Sequence, residues 1–202
     1  MGGIMFLSIV AAYAEERRFY FGADLGVAAV NDVQLDEIDG TGQYTAKLDA
    51  GPRLSLSSGY NFYEWFSARV ELSVIQNKIQ SSGDSYYWQV PFLANFEFRL
   101  PNKSRFVPLI GGGPGAVYRN FYRNDVGQFA RGHLSEVTFA WQVYGGLRYR
   151  ISDRCSVGVL YRYPDLPSSG ESEFEWNSDL GQTTRVTGTR TQSVSVSFGM
   201  KF

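Results

Sequence analysis

The sequence predicts an all-β fold: an eight-stranded antiparallel up-and-down β-barrel whose strands cross a membrane. Three observations carry this. Apolar and polar residues alternate with period two through eight segments, the spacing that gives a strand one apolar and one polar face. The connections between segments alternate between short and long. No 3.6-residue helical period competes over a useful length.

The chain of 202 residues is read as one export leader and one domain. In residues 1–14, the apolar and small stretch Gly2–Ala11 leads to Ala12-Tyr13-Ala14, an A-x-A cleavage pattern. The polar run Glu15-Glu16-Arg17-Arg18 follows, and no Lys or Arg precedes the apolar stretch. Residues 15–202 form the barrel domain.

Strands are expected at 17–31, 44–59, 66–77, 86–100, 106–119, 135–150, 155–164 and 185–202. In the first, Phe19, Phe21, Ala23, Leu25 and Val27 oppose Tyr20, Gly22, Asp24 and Gly26. In the second, Leu54 and Leu56 oppose Arg53, Ser55 and Ser57. In the third, Phe66, Ala68, Val70, Leu72 and Val74 oppose Ser67, Arg69, Glu71 and Ser73. The fourth sets Trp88, Val90, Phe92, Ala94, Phe96 and Phe98 against Gln89, Asn95, Glu97 and Arg99. The fifth, rich in Gly111, Gly112, Gly113 and Gly115, reads as a strand whose faces the pattern leaves open. The sixth sets Val137, Phe139, Trp141, Val143, Leu147 and Tyr149 against Thr138, Gln142, Arg148 and Arg150. In the seventh, Val157, Val159, Tyr161 and Tyr163 oppose Ser156, Gly158 and Arg162. The last is the clearest: Val194, Val196, Phe198, Met200 and Phe202 share one face.

The connections Asn61–Trp65, Pro101–Arg105 and Ile151–Arg154 are short, whereas Asp32–Gln43, Asn77–Ser85, Asn120–Leu134 and Asp165–Thr184 are long and polar. Transmembrane barrels show this asymmetry, with short periplasmic turns and long outer loops.

Composition narrows the function classes. Nineteen basic and twenty acidic residues give a net charge of −1, with no excess for nucleic acid. One cysteine, Cys155, excludes an intramolecular disulfide, and one histidine, His133, excludes a multi-histidine metal centre. No run approaches the roughly 18 apolar residues of a membrane helix. No cofactor is implied.

Alternation alone fits a soluble barrel with an apolar interior as well. Three features favour the opposite arrangement. The polar face mixes small residues with both charge signs, among them Lys47 and Asp49, as a narrow lumen requires. Aromatic residues gather near strand ends, among them Phe19, Tyr20, Tyr60, Tyr63, Trp65, Phe66, Tyr86, Tyr87, Trp88, Tyr161 and Tyr163. The leader adds export. In a bilayer all backbone groups must pair internally, so the sheet must close.

These features together resemble the eight-stranded outer-membrane β-barrel superfamily of Gram-negative bacteria, of the OmpA-like, OmpX and opacity-protein type. The resemblance covers the mature chain. It rests on Tyr20-Phe21-Gly22-Ala23-Asp24-Leu25-Gly26, Phe106-Val107-Pro108-Leu109-Ile110-Gly111-Gly112-Gly113, Tyr161-Arg162-Tyr163 and the final strand ending in Phe202. It is to the barrel-only members, with no peptidoglycan-binding domain expected. The resemblance implies that Val194, Val196, Phe198, Met200 and Phe202 form the signal read by the barrel assembly machinery. It also implies periplasmic chaperones, outer-membrane lipid and lipopolysaccharide as partners, periplasmic termini and extracellular long loops.

Three candidate sites follow. Inward charges Asp24, Arg53, Arg69, Glu71, Glu97, Arg99, Arg148 and Arg162, with Asp49, are expected to pair in the lumen, either as a structural plug or as a gate for small ions. A basic patch on the third long loop, Arg119, Arg123, Arg131 and His133, is flanked by acidic loops. It suits lipopolysaccharide phosphates or a host surface ligand. Thirdly, His133 and Ser135 share an outward face, as in lipid A deacylases of this barrel size. A nucleophilic serine needs the histidine and an orienting acid, and no acid is clearly placed. The expected role is therefore non-enzymatic: envelope structure, adhesion or protection through loops. A gated pore and a lipid A-modifying enzyme are the alternatives.

Overall fold

The computed structural model describes residues 18–31, 33–37, 43–80, 85–124, 131–165, 173–175, 183–186 and 190–202. The expected leader lies outside them. The strands are β1 (Phe19–Val30), β2 (Val33–Glu37), β3 (Gln43–Ala46), β4 (Gly51–Tyr63), β5 (Phe66–Lys78), β6 (Tyr86–Arg99), β7 (Phe106–Asn124), β8 (Arg131–Arg150), β9 (Cys155–Asp165), β10 (Glu173–Glu175), β11 (Thr183–Val186) and β12 (Thr191–Lys201).

Eight of these close an antiparallel barrel in the order β1-β12-β9-β8-β7-β6-β5-β4. Closure comes from β1, which pairs with β4 from Phe19↔Tyr60 to Ala28↔Gly51 and with β12 from Tyr20↔Lys201 to Val30↔Thr191. The wall therefore has no free edge, as lipid demands. Neighbours in sequence pair around the wall, so the barrel is up-and-down and eight-stranded, as the alternation predicts.

Short turns gather at one end. Local side-chain bonds hold them: the Ser104 amide donates to Asn102 Oδ1 at 2.9 Å, and the Cys155 amide donates to Ser152 Oγ at 3.0 Å. At the other end, β10-β11-β2-β3 form a separate four-stranded sheet. Its middle pair, β11 and β2, joins the first and last long connections through Thr184↔Glu37 and Val186↔Leu35.

The two faces obey the expected parity. Outward Phe21, Leu25, Leu56, Leu72, Phe92, Phe139, Val159 and Val196 are exposed, while inward Asp24, Arg53, Ser55, Glu71 and Glu97 are buried. This inside-out pattern is what a lipid solvent selects. Rings cluster outside at the turn end, where Phe19 meets Tyr60 at 5.0 Å, Tyr63 stacks on Trp65 at 5.3 Å and Phe21 meets Phe202 at 5.6 Å. Tyr20 and Tyr87 correct the aromatic list. Both turn inward and are buried, because they sit at even and odd positions, respectively, that their strands give to the lumen.

Three boundaries also change. The segment expected at 44–59 divides, with β3 in the small sheet and β4 entering the wall only at Gly51. A Cβ there would lie 1.7 Å from the Gln76 carbonyl oxygen, so only glycine allows this approach. The last segment divides likewise into β11 and β12. The expected loop 120–134 is largely strand, since β7 and β8 pair as far as Asn124↔Arg131. Beyond the apolar layer no lipid selects an outer face, so the period-two signal fades while the ladder continues. Lys47 and Asp49, placed on the polar strand face by sequence, are exposed before β4 begins. Asp49 accepts from Gln80 Nε2 at 2.6 Å, away from the lumen.

Candidate functional site

The closed ladder forces inward residues of all eight wall strands into a narrow lumen, and the charges meet there in two clusters. The first centres on Glu71 of β5. It accepts from Arg53 Nη2 at 2.8 Å and from Arg69 Nη2 at 2.8 Å, and Arg162 Nε lies 3.4 Å away. Arg162 also pairs with Asp24 of β1. Hydroxyls complete the shell: Arg53 donates to Ser55 at 3.1 Å, Ser73 at 3.1 Å and Ser193 at 3.2 Å, and Arg162 donates to Ser195 at 2.8 Å.

The second centres on Glu97 of β6, nearer the turns. Arg148 grips it with both ends of its fork, at 2.9 and 3.1 Å. Arg99 Nε lies 3.7 Å and Arg69 Nη1 3.8 Å from the same carboxylate. Arg99 Nη2 donates to Asn61 Oδ1 at 2.6 Å. Arg69 thus bridges the clusters.

Tyr144 of β8 lies between them. Its ring carries Arg69 at 4.6 Å and Arg162 at 6.0 Å. The adjacent strand β7 makes room with Gly111, the register partner of Tyr144, where a Cβ would stand 2.3 Å from the Tyr144 ring. Apolar side chains fill the remaining space: Leu93 with Val117 and Ala140, and Leu109 with Tyr144 and Leu160. A buried ion left unpaired costs several kcal/mol, so this interlocked set fixes the relative positions of β1, β4, β5, β6, β8, β9 and β12.

All eight residues expected in the lumen, Asp24, Arg53, Arg69, Glu71, Glu97, Arg99, Arg148 and Arg162, face it. The loop patch is different. Arg119 points inward from β7 and is buried, because its odd position continues the inward row of Leu109, Gly111 and Val117. Arg123, Arg131 and His133 lie on the β7–β8 extension, in the pairs Arg123↔Gly132, Asn124↔Arg131 and Tyr122↔His133. Their side chains are outside the described residues. Ser135 faces outward, and its Oγ accepts from Tyr118 Oη at 2.9 Å and from Asn120 Nδ2 at 3.3 Å. Val194, Val196, Phe198 and Phe202 are exposed on the outer wall, with Met200 partly so.

Sequence reading passed over Tyr144, the serine shell and a group of cations at the turns. An aromatic at an even position among the odd outward residues of β8 marked Tyr144.

Shape comparison gives the same architecture. Neisserial surface protein A aligns with a TM-score of 0.60 at 14% identity, over 91% of this chain and 97% of that one. Ail, the attachment invasion locus protein of Yersinia pestis, solved with the heparin analogue sucrose octasulfate, aligns at 0.50 and 13% identity, over 92% and 99%. The outer membrane protease OmpT of Escherichia coli aligns at 0.54 and 8% identity, over 91% and 97%. At such identities the likeness is one of fold. Curated protein sequences give no match. The family model for the outer membrane protein beta-barrel domain matches residues 3–202. The chain belongs to that family, which places it in the outer membrane.

Proposed function

We propose that this barrel is a sealed, non-enzymatic scaffold that holds its loop-end sheet at the cell surface for envelope structure, adhesion or protection. The observation that carries this reading is the Glu71 cluster. Arg53, Arg162 and Glu71 are at most 1% exposed and lock together across the lumen, which argues for a plug rather than a channel. The small sheet β10-β11-β2-β3 supports the second half, since it pairs the described segments of the first and last long connections with each other.

In this reading the turns and termini face the periplasm and the small sheet faces outward. Lipid and lipopolysaccharide surround the wall. Chaperones and the assembly machinery read the β12 face, and a host surface ligand meets the loops.

Two measurements test the proposal. A membrane-impermeant thiol reagent on intact cells should label a Thr45→Cys variant, and should label Cys155 only after the envelope is opened. Replacing residues 33–46 and 173–186 by short turns should leave a heat-modifiable barrel in the membrane while surface attachment falls. Undiminished attachment, or an altered lipid A mass profile that depends on Ser135, would overturn the reading.

A further inference from the structure

The turn-end mouth of the barrel holds a cavity of about 180 Å³. Five cations line it: Arg99, Arg148, Arg150, Arg154 and Lys201. They come from β6, β8, the β8–β9 turn and β12, so no single segment of sequence announces them. Glu64 and Asp153 are the acids of the lining. A second space of about 30 Å³ lies deeper, sharing Arg99, Arg148 and Lys201 and reaching Arg69.

Arg148 is held by Glu97, but among the described residues three of the five cations form no ion pair. No carboxylate among the described residues comes within 4.0 Å of Arg150, Arg154 or Lys201. Arg150 spends one nitrogen on the Ser104 carbonyl at 2.6 Å and the Asn102 carbonyl at 3.3 Å. Arg99 is 8% exposed, and its Nε makes no hydrogen bond. A buried guanidinium with a spare donor is costly unless water or an anion meets it. Glu97, behind the floor, offsets one cation. With Glu64 and Asp153 counted as well, two positive charges of the five stay uncompensated.

We propose that this vestibule binds a phosphate oxyanion, the phosphate of a soluble ester or of a lipid head group. Guanidinium forks match phosphate oxygens two at a time, and Lys201 adds a point charge. The volume exceeds that of a few waters, each of which takes roughly 30 Å³ in the liquid, so a phosphate group fits with part of its hydration. The surplus of positive charge favours a dianion. The site stands on the turn-end geometry alone, whichever way the barrel is oriented.

The test uses the full chain in dodecyl maltoside micelles, titrated calorimetrically with inorganic pyrophosphate and inorganic phosphate. Saturable single-site binding is expected. The Arg154→Gln/Lys201→Gln double variant, which alters rim positions outside the Glu97 ion pairs, should weaken it about tenfold or more while gel mobility stays that of the folded barrel. Lys103→Gln removes a turn-end charge that does not line the cavity and should leave affinity unchanged. Heats that never saturate, or equal weakening by Lys103→Gln, would overturn the proposal. Repeating the titration in nanodiscs of phosphatidylglycerol and of phosphatidylcholine identifies the source. Competition by phosphatidylglycerol supports a head group, and undiminished binding supports a soluble phosphate.

Discussion

The Glu71 and Glu97 clusters each gather arginines around one glutamate, yet they differ in how far they are closed. Around Glu71, Arg53 and Arg162 are at most 1% exposed and lie among carboxylates and serines, with Arg162 Nε 3.4 Å from Glu71 and making no hydrogen bond. Around Glu97, Arg148 is 16% exposed and both it and Arg99 border an open cavity. The first cluster is closed and can only hold strands together. The second opens toward the cavity on the side of the turns, where its donors can meet water or an anion. Burial, rather than charge, separates a structural lock from a site with chemistry to spare.

The comparison is open to direct attack. Glu71→Gln should be the most damaging change, because three guanidinium groups lose their shared anion with no water to replace it. A loss of about 3–5 kcal/mol is expected in urea unfolding followed by tryptophan fluorescence. A loss below that of Glu97→Gln would erase the distinction between the clusters. Glu97→Gln should cost about 1–3 kcal/mol, since the cavity lets water reach Arg148 and Arg99, and added pyrophosphate should recover part of it. Tyr144→Phe sharpens the picture at its smallest scale. The Tyr144 hydroxyl is buried without a hydrogen bond, so removing it should change stability by no more than about 0.5 kcal/mol while the ring keeps its place under Arg69. A large loss would mean that the hydroxyl is a working member of the network.

The wall was legible because lipid imposes one requirement on every outward position. Leu25, Leu72, Phe96 and Val196 are apolar for the same reason; their alternation gives away the strands, and the charged polar face, the aromatic strand ends and the expected leader decide which face meets lipid. The eight lumen charges were legible by the same parity. What the pattern hid lies where that selection stops. β2, β3, β10 and β11 stand beyond the apolar layer, and the extended β7–β8 hairpin turns a supposed loop residue, Arg119, into a lumen residue. Inside the barrel, volume matters as much as polarity, so Leu93, Leu109 and Leu160 sit beside arginines without breaking any rule of packing. Gly111 hid its purpose, which is space for a tyrosine 33 residues along the chain at Tyr144. The vestibule was the least visible, since its cations are gathered only when the turns and β12 come together.

The most direct test of the sealed lumen is conductance of the purified wild-type chain in planar bilayers. With the Glu71 cluster closed across the barrel, no reproducible unitary steps are expected on insertion. Steady steps of uniform size from the intact protein, changed in amplitude by Glu71→Gln, would contradict the seal and make the barrel a pore.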